Sequence, residues 1–155
     1  MRRPLSIVLA LLVLAGLSAV GAVGASARSA APKPTLQLLH THRYGSILEN
    51  GAGYVVYGFS PDKPGKDTCQ AIHECLDLWP AVLAPHTLRL GSGVKRSLVG
   101  SIRLSNGKRQ LTYNGWPLYT YVSDTHPGET SNINIAQFGG LWPAVSASGK
   151  LTPSH

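Results

Sequence analysis

The sequence predicts an all-β or mostly β protein made of two related antiparallel halves. The first observation is a duplication, because glycine, asparagine, tyrosine, aspartate and tryptophan positions recur in the same order in residues 45–82 and 100–145. The second is the high content of helix-breaking residues, since 17 glycines and 11 prolines interrupt the chain too often for long helices. The third is a series of short β-branched and aromatic runs around Asn-Gly turn signals. A repeated unit that cannot bury its apolar face alone packs against its copy, so the halves are expected to share one small domain.

The first segment, residues 1–27, is expected to be a signal peptide. Arg2 and Arg3 precede an uncharged stretch rich in Leu, Val and Ala that ends in Ala-Ser-Ala at 25–27, the form after which signal peptidases cut. An uncleaved membrane anchor is the alternative, because about 20 apolar residues can span a bilayer. The glycines in the second half of the segment favour cleavage. No cysteine lies near the end of the segment, so lipidation at an N-terminal cysteine is not expected.

The remaining chain divides into a leader and one domain. Residues 28–43 begin with prolines and small residues and are expected to form a flexible leader. Residues 44–155 are expected to form a single domain, in which repeat 1 covers residues 44–86 and repeat 2 covers residues 99–150.

Repeat 1 predicts a β-hairpin followed by a turn. Residues 44–48 and 54–59 are the two strands, and an Asn-Gly pair at 50–51 is the turn between them. A Pro-Gly turn follows at 64–65. Residues 70–78 are the only part with helical leanings, so a short helical turn is expected near the cysteines.

Repeat 2 predicts a three-stranded meander. Its strands are residues 99–104, 109–113 and 116–122, separated by two Asn-Gly turns, and a Pro-Gly turn again follows. The extra hairpin around Asn114 is an insertion relative to repeat 1.

Six aromatic residues stand at matching places in the two copies. They are Tyr57, Phe59, Trp79, Tyr119, Tyr121 and Trp142. We expect them to form the contact between the halves, because large rings dominate the cores of small domains. A platform for a flat or sugar-like ligand is the alternative, and burial in the core is favoured over it.

The two cysteines, Cys69 and Cys75, are expected to form a disulfide in an exported chain. The loop that they would close is short, so the stabilisation is expected at the low end of the usual range, about 2 kcal/mol. His73 between them allows a metal-binding interpretation, but the spacing indicates no fourth ligand and the bridge is favoured.

Two acidic pairs are candidate cation ligands. Asp62 is followed by Asp67, and Asp124 by Glu129, each five residues on, and carboxylates in loops are ligands for Ca²⁺. The favoured interpretation is that the acids accept backbone hydrogen bonds in turns, since the ligand number falls short of a calcium loop.

His40 and His42 form the other metal candidate, because two imidazoles on one face of a strand can bind copper or zinc. Isolated histidines are more often solvated or hydrogen-bonded in the structure, and that interpretation is favoured.

Several runs together carry a family resemblance. YGFSPD at 57–62 and YTYVSD at 119–124 fit the pattern Tyr-x-aromatic-x-x-Asp, and residues 69–80 and 110–119 are similar to two further recurrent stretches. In these runs the chain resembles the bacterial secreted-repeat family of unknown function, whose members are often labelled predicted lipoproteins. The resemblance covers residues 44–150 and implies an exported envelope protein with tandem copies and no established activity. The motif residues are Tyr57, Phe59, Asp62, Trp79, Tyr119, Tyr121, Asp124 and Trp142.

The sequence does not indicate an enzyme. It contains no Gly-x-Ser-x-Gly element and no spare cysteine, and no catalytic residue is assigned. Asp62 and Asp124 are equivalent in the repeat, which favours the same structural role for both over an acid and base pair. No cofactor is expected.

The function predicted from these features is that of an exported cell-envelope protein, a non-enzymatic binding or structural module. The alternative is a cell-surface accessory protein that handles a metal, haem or redox equivalents. The full chain has a net charge of +7, and +5 remains once Arg2 and Arg3 are removed with the signal peptide; this charge favours anionic neighbours, such as acidic cell-wall polymers or membrane surfaces. Nucleic acid is not expected as a partner of an exported protein.

Overall fold

A computed structural model describes residues 31–153 of the protein, and seven short strands carry most of the regular structure in this part of the chain. The described residues from Pro32 onward form one compact unit. The predicted signal peptide, residues 1–27, lies outside the described residues. Within residues 31–153 the helical segments are too short, and not apolar enough, to cross a lipid bilayer.

All named strand pairs are antiparallel, and they form three small sheets. The strands are β1 (Leu36–Thr41), β2 (Gly45–Asn50), β3 (Val99–Arg103), β4 (Arg109–Tyr113), β5 (Trp116–Pro117), β6 (Ile135–Gln137) and β7 (Gly140–Trp142). The sheets are β1–β2, β3–β4–β5 and β6–β7. One helical turn, α1 (Cys75–Leu78), and the 3-10 turns Cys69–Ala71 and Arg96–Leu98 complete the elements. The predicted mostly β fold is confirmed.

Strand β1 corrects the prediction of a flexible leader. Its residues fall inside the segment 28–43, yet they pair with β2 from Leu36 opposite Asn50 to Thr41 opposite Gly45. Leu36 is fully buried, because its side chain packs into the core. The prolines that suggested a leader end before the strand, and the apolar residues after them gain more from burial than from solvation.

The predicted hairpin of repeat 1 forms only in part. Strand β2 turns back onto the next segment at the Glu49–Val55 bridge, as expected. From Tyr57 onward, however, the segment leaves β2 and forms bridges with Tyr119 and Ala144 of repeat 2. The second strand of the expected hairpin therefore connects the two repeats, because its aromatic residues are buried between them.

The meander of repeat 2 is confirmed in its strand order, but its third strand, predicted over residues 116–122, is only β5 (Trp116–Pro117), because Tyr119 instead forms bridges with Tyr57 and Ala81 of repeat 1. Strand β4 lies between β3 and β5, with Thr112 opposite Pro117 and Tyr113 opposite Trp116. The β4–β5 turn places Asn114 at φ 51° and Gly115 at φ 81°, the left-handed values that the Asn-Gly pair tolerates in a tight hairpin.

The core contains two groups of buried side chains. One group surrounds the β3–β4–β5 sheet and includes Leu36, Leu111 and Tyr113. The other holds the aromatic residues of the repeated motif and both cysteines. Cys69 and Cys75 form the predicted disulfide, and it closes the loop that leads into α1 and Trp79.

Candidate functional site

The two motif tyrosines lie opposite each other where the repeats meet. The amide of Tyr57 donates to the carbonyl of Tyr119 at 2.9 Å, and the amide of Tyr119 donates to the carbonyl of Tyr57 at 2.9 Å. Both side chains are fully buried. This closed pair of backbone hydrogen bonds joins repeat 1 to repeat 2.

Each tyrosine hydroxyl binds the motif aspartate of the other repeat. The Tyr57 hydroxyl donates to Asp124, at 3.0 Å from Oδ2 and 3.2 Å from Oδ1. The Tyr119 hydroxyl donates to Oδ2 of Asp62 at 2.7 Å. The repeated motif therefore pairs across the two copies and not within one copy.

The aspartates also hold the turns that follow the motif. Oδ1 of Asp62 accepts hydrogen bonds from the amide and the hydroxyl of Thr68, both at 2.7 Å. Oδ1 of Asp124 accepts one from the Asn132 amide group at 2.8 Å. These contacts agree with the interpretation that the acids close turns.

Burial dominates the protonation behaviour of this cluster. It raises the pKa of Asp62 and of Asp124, and the hydrogen bonds from their neighbours only partly offset the rise. Burial also raises the pKa of Tyr57 and Tyr119, and the charge of the facing carboxylate adds to this effect. Each pair is therefore held as a neutral phenol that donates to the carboxyl group.

Four aromatic rings form a continuous stack beside the tyrosines. The rings of Trp79 and Trp142 are 3.9 Å apart between centroids and nearly parallel, at 5°. Tyr121 stacks on Trp79 at 4.0 Å, and Phe59 stacks on Trp142 at 4.2 Å. Phe59 and Tyr121 occupy the same motif position in the two copies, so the ends of the stack are equivalent.

The buried tyrosines meet the edges of the indoles within their own repeat. Tyr57 lies against Trp79 at 5.1 Å and 81°, and Tyr119 lies against Trp142 at 5.2 Å and 88°. Edge-to-face contacts of this kind are favourable beyond the area that they bury. All six predicted aromatic residues are thus brought together between the halves.

Gln137 on β6 satisfies both indoles and is a residue that sequence reasoning missed. Its side-chain oxygen accepts from Trp79 Nε1 at 2.8 Å, and its backbone carbonyl accepts from Trp142 Nε1 at 3.3 Å. Its amide nitrogen donates to the Tyr121 hydroxyl at 3.3 Å. The only available signal was the general need of a buried indole N–H for an acceptor, and that need does not identify the residue.

The remaining acidic candidates also close turns. Oδ1 of Asp67 accepts from the Gln70 amide at 2.9 Å. Oε2 of Glu129 accepts from the Thr125 amide at 2.8 Å, and this bond, with a further one from Ser131, lowers the pKa of Glu129. Within residues 31–153 no three His, Cys, Asp or Glu side chains come close enough to hold a metal ion together.

The two histidine candidates lie at the end of β1. His40 Nδ1 is 2.8 Å from the Ser46 hydroxyl, on the partner strand. His42 is exposed and lines a cleft of about 530 Å³ that also contacts Tyr44 and Asn134. The structure therefore gives the two imidazoles different surroundings.

Charge is distributed unevenly between the interior and the surface. Four of the acids, Glu49, Asp62, Asp67 and Asp124, are buried. Every lysine and arginine in residues 31–153 is exposed. In that range the ion pairs involve only His73 with Glu74 and His126 with Glu129, so no lysine or arginine is paired with an acid.

Comparison with known proteins identifies one family. Residues 100–146, from β3 to just beyond β7, match the model of a family described as a secreted repeat of unknown function. This match confirms the resemblance deduced from the motifs in the part of the chain that holds repeat 2. No curated protein and no solved structure matches the chain. The family is described as secreted, which supports an extracellular or envelope location, and its description indicates no enzymatic activity.

Proposed function

We propose that the protein is exported and acts as a non-enzymatic module that binds anionic polymers of the cell wall. The observation that carries this proposal is the charge distribution in residues 31–153, because four acids are buried while every lysine and arginine is exposed and none is paired with an acid. Exposed positive charge without internal partners attracts polyanions over a distance set by the salt concentration.

The repeated motif supports a structural role for its own residues. Asp62 and Asp124 are 3% and 8% exposed, and both carboxyl groups already bind a tyrosine hydroxyl from the other repeat. A small cleft of about 240 Å³ reaches Asp124 beside Tyr54 and Tyr121. A catalytic acid or base has to reach the substrate, whereas these groups are engaged in holding the fold.

Export rests on the predicted signal peptide and on the description of the matched family. Cleavage after Ala27 would give a protein that begins at Arg28 and has a net charge of +5 in place of +7, since Arg2 and Arg3 are the only charged residues removed. The mass of the protein recovered from culture fluid tests this point. A mass that retains residues 1–27 would contradict cleavage and favour the anchor.

The metal, haem or redox alternative has less support. The cysteines are joined to each other, and His40 and His42 lie in different surroundings. None of these contacts indicates a ligand set within the described residues.

Co-sedimentation with insoluble cell-wall sacculi tests the binding function. The mature protein should pellet with intact sacculi at about 50 mM salt and be released at about 500 mM salt, because screening weakens exposed charge interactions. Sacculi from which acid has removed the anionic polymers are the control and should bind little. Equal binding to both preparations, or binding that salt does not weaken, would contradict the proposal.

A further inference from the structure

A groove beside the β3–β4 hairpin gathers basic side chains from three parts of the chain. Two adjoining cavities, of about 600 and about 360 Å³, share the residues Ala84, Pro85, His86 and Ser101. The first also contacts Lys108 and Arg109, and the second contacts Arg96. We call these two cavities together the basic groove.

One wall of the basic groove is tied to the sheet by backbone hydrogen bonds. The amide of Leu111 donates to the carbonyl of Val82 at 2.7 Å, and the amide of Ala84 donates to the carbonyl of Arg109 at 2.9 Å. Leu83, 44% exposed, adds an apolar side chain to the same wall. The groove is therefore a formed feature of the β4 edge.

Arg109 is held in place before any ligand binds. Its Nε and Nη2 atoms donate to the Ser101 hydroxyl at 3.0 and 2.7 Å, and Nη2 also lies 3.3 Å from the Ser101 carbonyl. Nη1 has no partner among the described residues. A positioned guanidinium loses less entropy when it binds an anion than a free one does.

The charges around Arg109 are not compensated. Arg103 lies directly opposite Arg109 in the β3–β4 register, an arrangement of like charges that destabilises an antiparallel pair. His86, Arg96 and Lys108 add further basic groups, and no acid lines either cavity. An anion in the groove would relieve this repulsion.

We propose that the basic groove binds phosphate groups of a phosphodiester-linked polymer. This proposal deepens the function proposed above and rests on it. The planar guanidinium of Arg109 matches the oxygens of a phosphate, and two adjoining cavities suit successive phosphates of one chain. The apolar wall at Leu83 and Pro85 contacts the linker between them.

Fluorescence-detected binding of a soluble poly(glycerol phosphate) to the mature protein tests the groove. The double variant Lys108→Gln/Arg109→Gln should raise the dissociation constant about tenfold or more, because it removes two charge-assisted donors. The variant Lys63→Gln/Lys66→Gln is the matched control, since it removes the same charge at exposed positions that line neither cavity, and it should change affinity by less than about threefold.

A third variant separates geometry from charge. Arg109→Lys keeps the charge but loses the planar donor pair, so it should also weaken binding to the phosphate polymer, by about threefold or more. Polygalacturonate, a carboxylate polymer, is the comparison ligand and should depend less on Arg109. All substituted side chains are exposed, and thermal unfolding checks that the variants remain folded.

The outcomes distinguish the two proposals. Equal losses of affinity in Lys108→Gln/Arg109→Gln and in the control Lys63→Gln/Lys66→Gln would overturn the proposal that the groove is the binding site. The proposal of diffuse binding to polyanions would remain in place. Equal dependence of both polymers on Arg109 would overturn the preference for phosphate. Failure of the unaltered protein to bind either polymer at about 50 mM salt would overturn the groove and the proposed function together.

Discussion

The hydroxyl of Tyr57 donates to the carboxyl group of Asp124, although the two residues are 67 positions apart and belong to different repeats. Tyr119 and Asp62 make the reciprocal contact. Within its own repeat each aspartate is bonded only through Oδ1, and Oδ2 of each is bonded by the tyrosine of the other repeat, so each half depends on the other for this contact.

Replacing Tyr57 or Tyr119 by Phe should destabilise the protein by about 1 to 3 kcal/mol each, because a buried carboxyl group loses a hydrogen-bond donor. Urea unfolding followed by tryptophan fluorescence measures the change. Tyr54→Phe is the control, since Tyr54 is half-buried and its hydroxyl makes no hydrogen bond in the described structure. A loss no greater than that of the control would contradict the proposed importance of the exchange.

Alkaline pH should destabilise the protein through the same tyrosines. Burial raises the pKa of Tyr57 and Tyr119 above the ordinary value of 10.0. Their contribution to stability is therefore fully present below pH 10 and is lost as the pH rises, because only the unfolded chain ionises readily. The free energy of unfolding should fall by up to about 1.4 kcal/mol per pH unit for each tyrosine.

Urea unfolding between pH 9 and pH 11 measures this effect, and the double variant Tyr57→Phe/Tyr119→Phe provides the comparison. The variant should lose less stability over that range, since it lacks both groups. Parallel pH dependence in the two proteins would show that these phenols are not responsible.

Mild acid should increase the contribution of Asp124 to the stability of the protein, whereas it decreases the contribution of a carboxylate whose pKa is lowered by folding. Burial raises its pKa above the ordinary value of 3.8, so the fold favours the protonated form. The stabilising contribution is present below that value and is lost as the pH rises through the raised pKa. Going from about pH 7 to about pH 4, the unaltered protein should gain stability relative to Asp124→Asn.

The difference in stability between the unaltered protein and Asp124→Asn isolates the contribution of Asp124. Glu129, whose pKa is lowered, loses its contribution as the pH falls, but it is present in both proteins. Urea midpoints at several pH values provide the measurement. If the difference between the two midpoints stays constant, or if the variant becomes relatively more stable as the pH falls, burial does not have the role given to it here.

Removing one indole of the stack should be costly. Trp79→Leu or Trp142→Leu leaves a cavity beside three other rings, and we expect a loss of about 3 kcal/mol or more. Trp116→Leu, at a half-buried position outside the stack, should cost less. Thermal unfolding compares the three variants, and similar losses in all of them would argue against a special role for the stack.

Removal of the disulfide should have a moderate effect. Cys69→Ala/Cys75→Ala opens a loop with a sequence separation of 6, and the expected loss is about 2 kcal/mol. Both cysteines are fully buried, so a reductant should act on the folded protein slowly. Thiol labelling over time under native conditions measures this rate, and rapid labelling would show that the loop opens without global unfolding.

Local signals in the sequence were sufficient for part of the fold. The strand order of the repeat 2 meander was predicted correctly because each Asn-Gly pair specifies a tight turn between its own neighbours, whereas its third strand is shorter than predicted because Tyr119 pairs with repeat 1. The disulfide followed from having a single possible pairing. In contrast, β1 was missed because the preceding prolines hid a short strand whose burial depends on distant residues.

The site was predicted as a set of residues but not as a set of contacts. The duplication indicated that Tyr57 and Tyr119 have equivalent roles, and that the matched rings pack together. It did not show that each tyrosine binds the aspartate of the other copy, because equivalence is compatible with partners inside or outside a repeat. Gln137 was missed because it pairs with both indoles from a single position, so the duplication carries no sign of it.

The crossed hydrogen bonds have a consequence for how such a chain could arise. A single copy of the motif could form these tyrosine–aspartate hydrogen bonds only with a second identical molecule, in which the tyrosine of each subunit donates to the aspartate of the other. That is the geometry of an isologous homodimer. The present chain therefore has the form of a symmetric dimer whose two subunits are joined in one chain, and in which one half carries the cysteines and the other the additional hairpin.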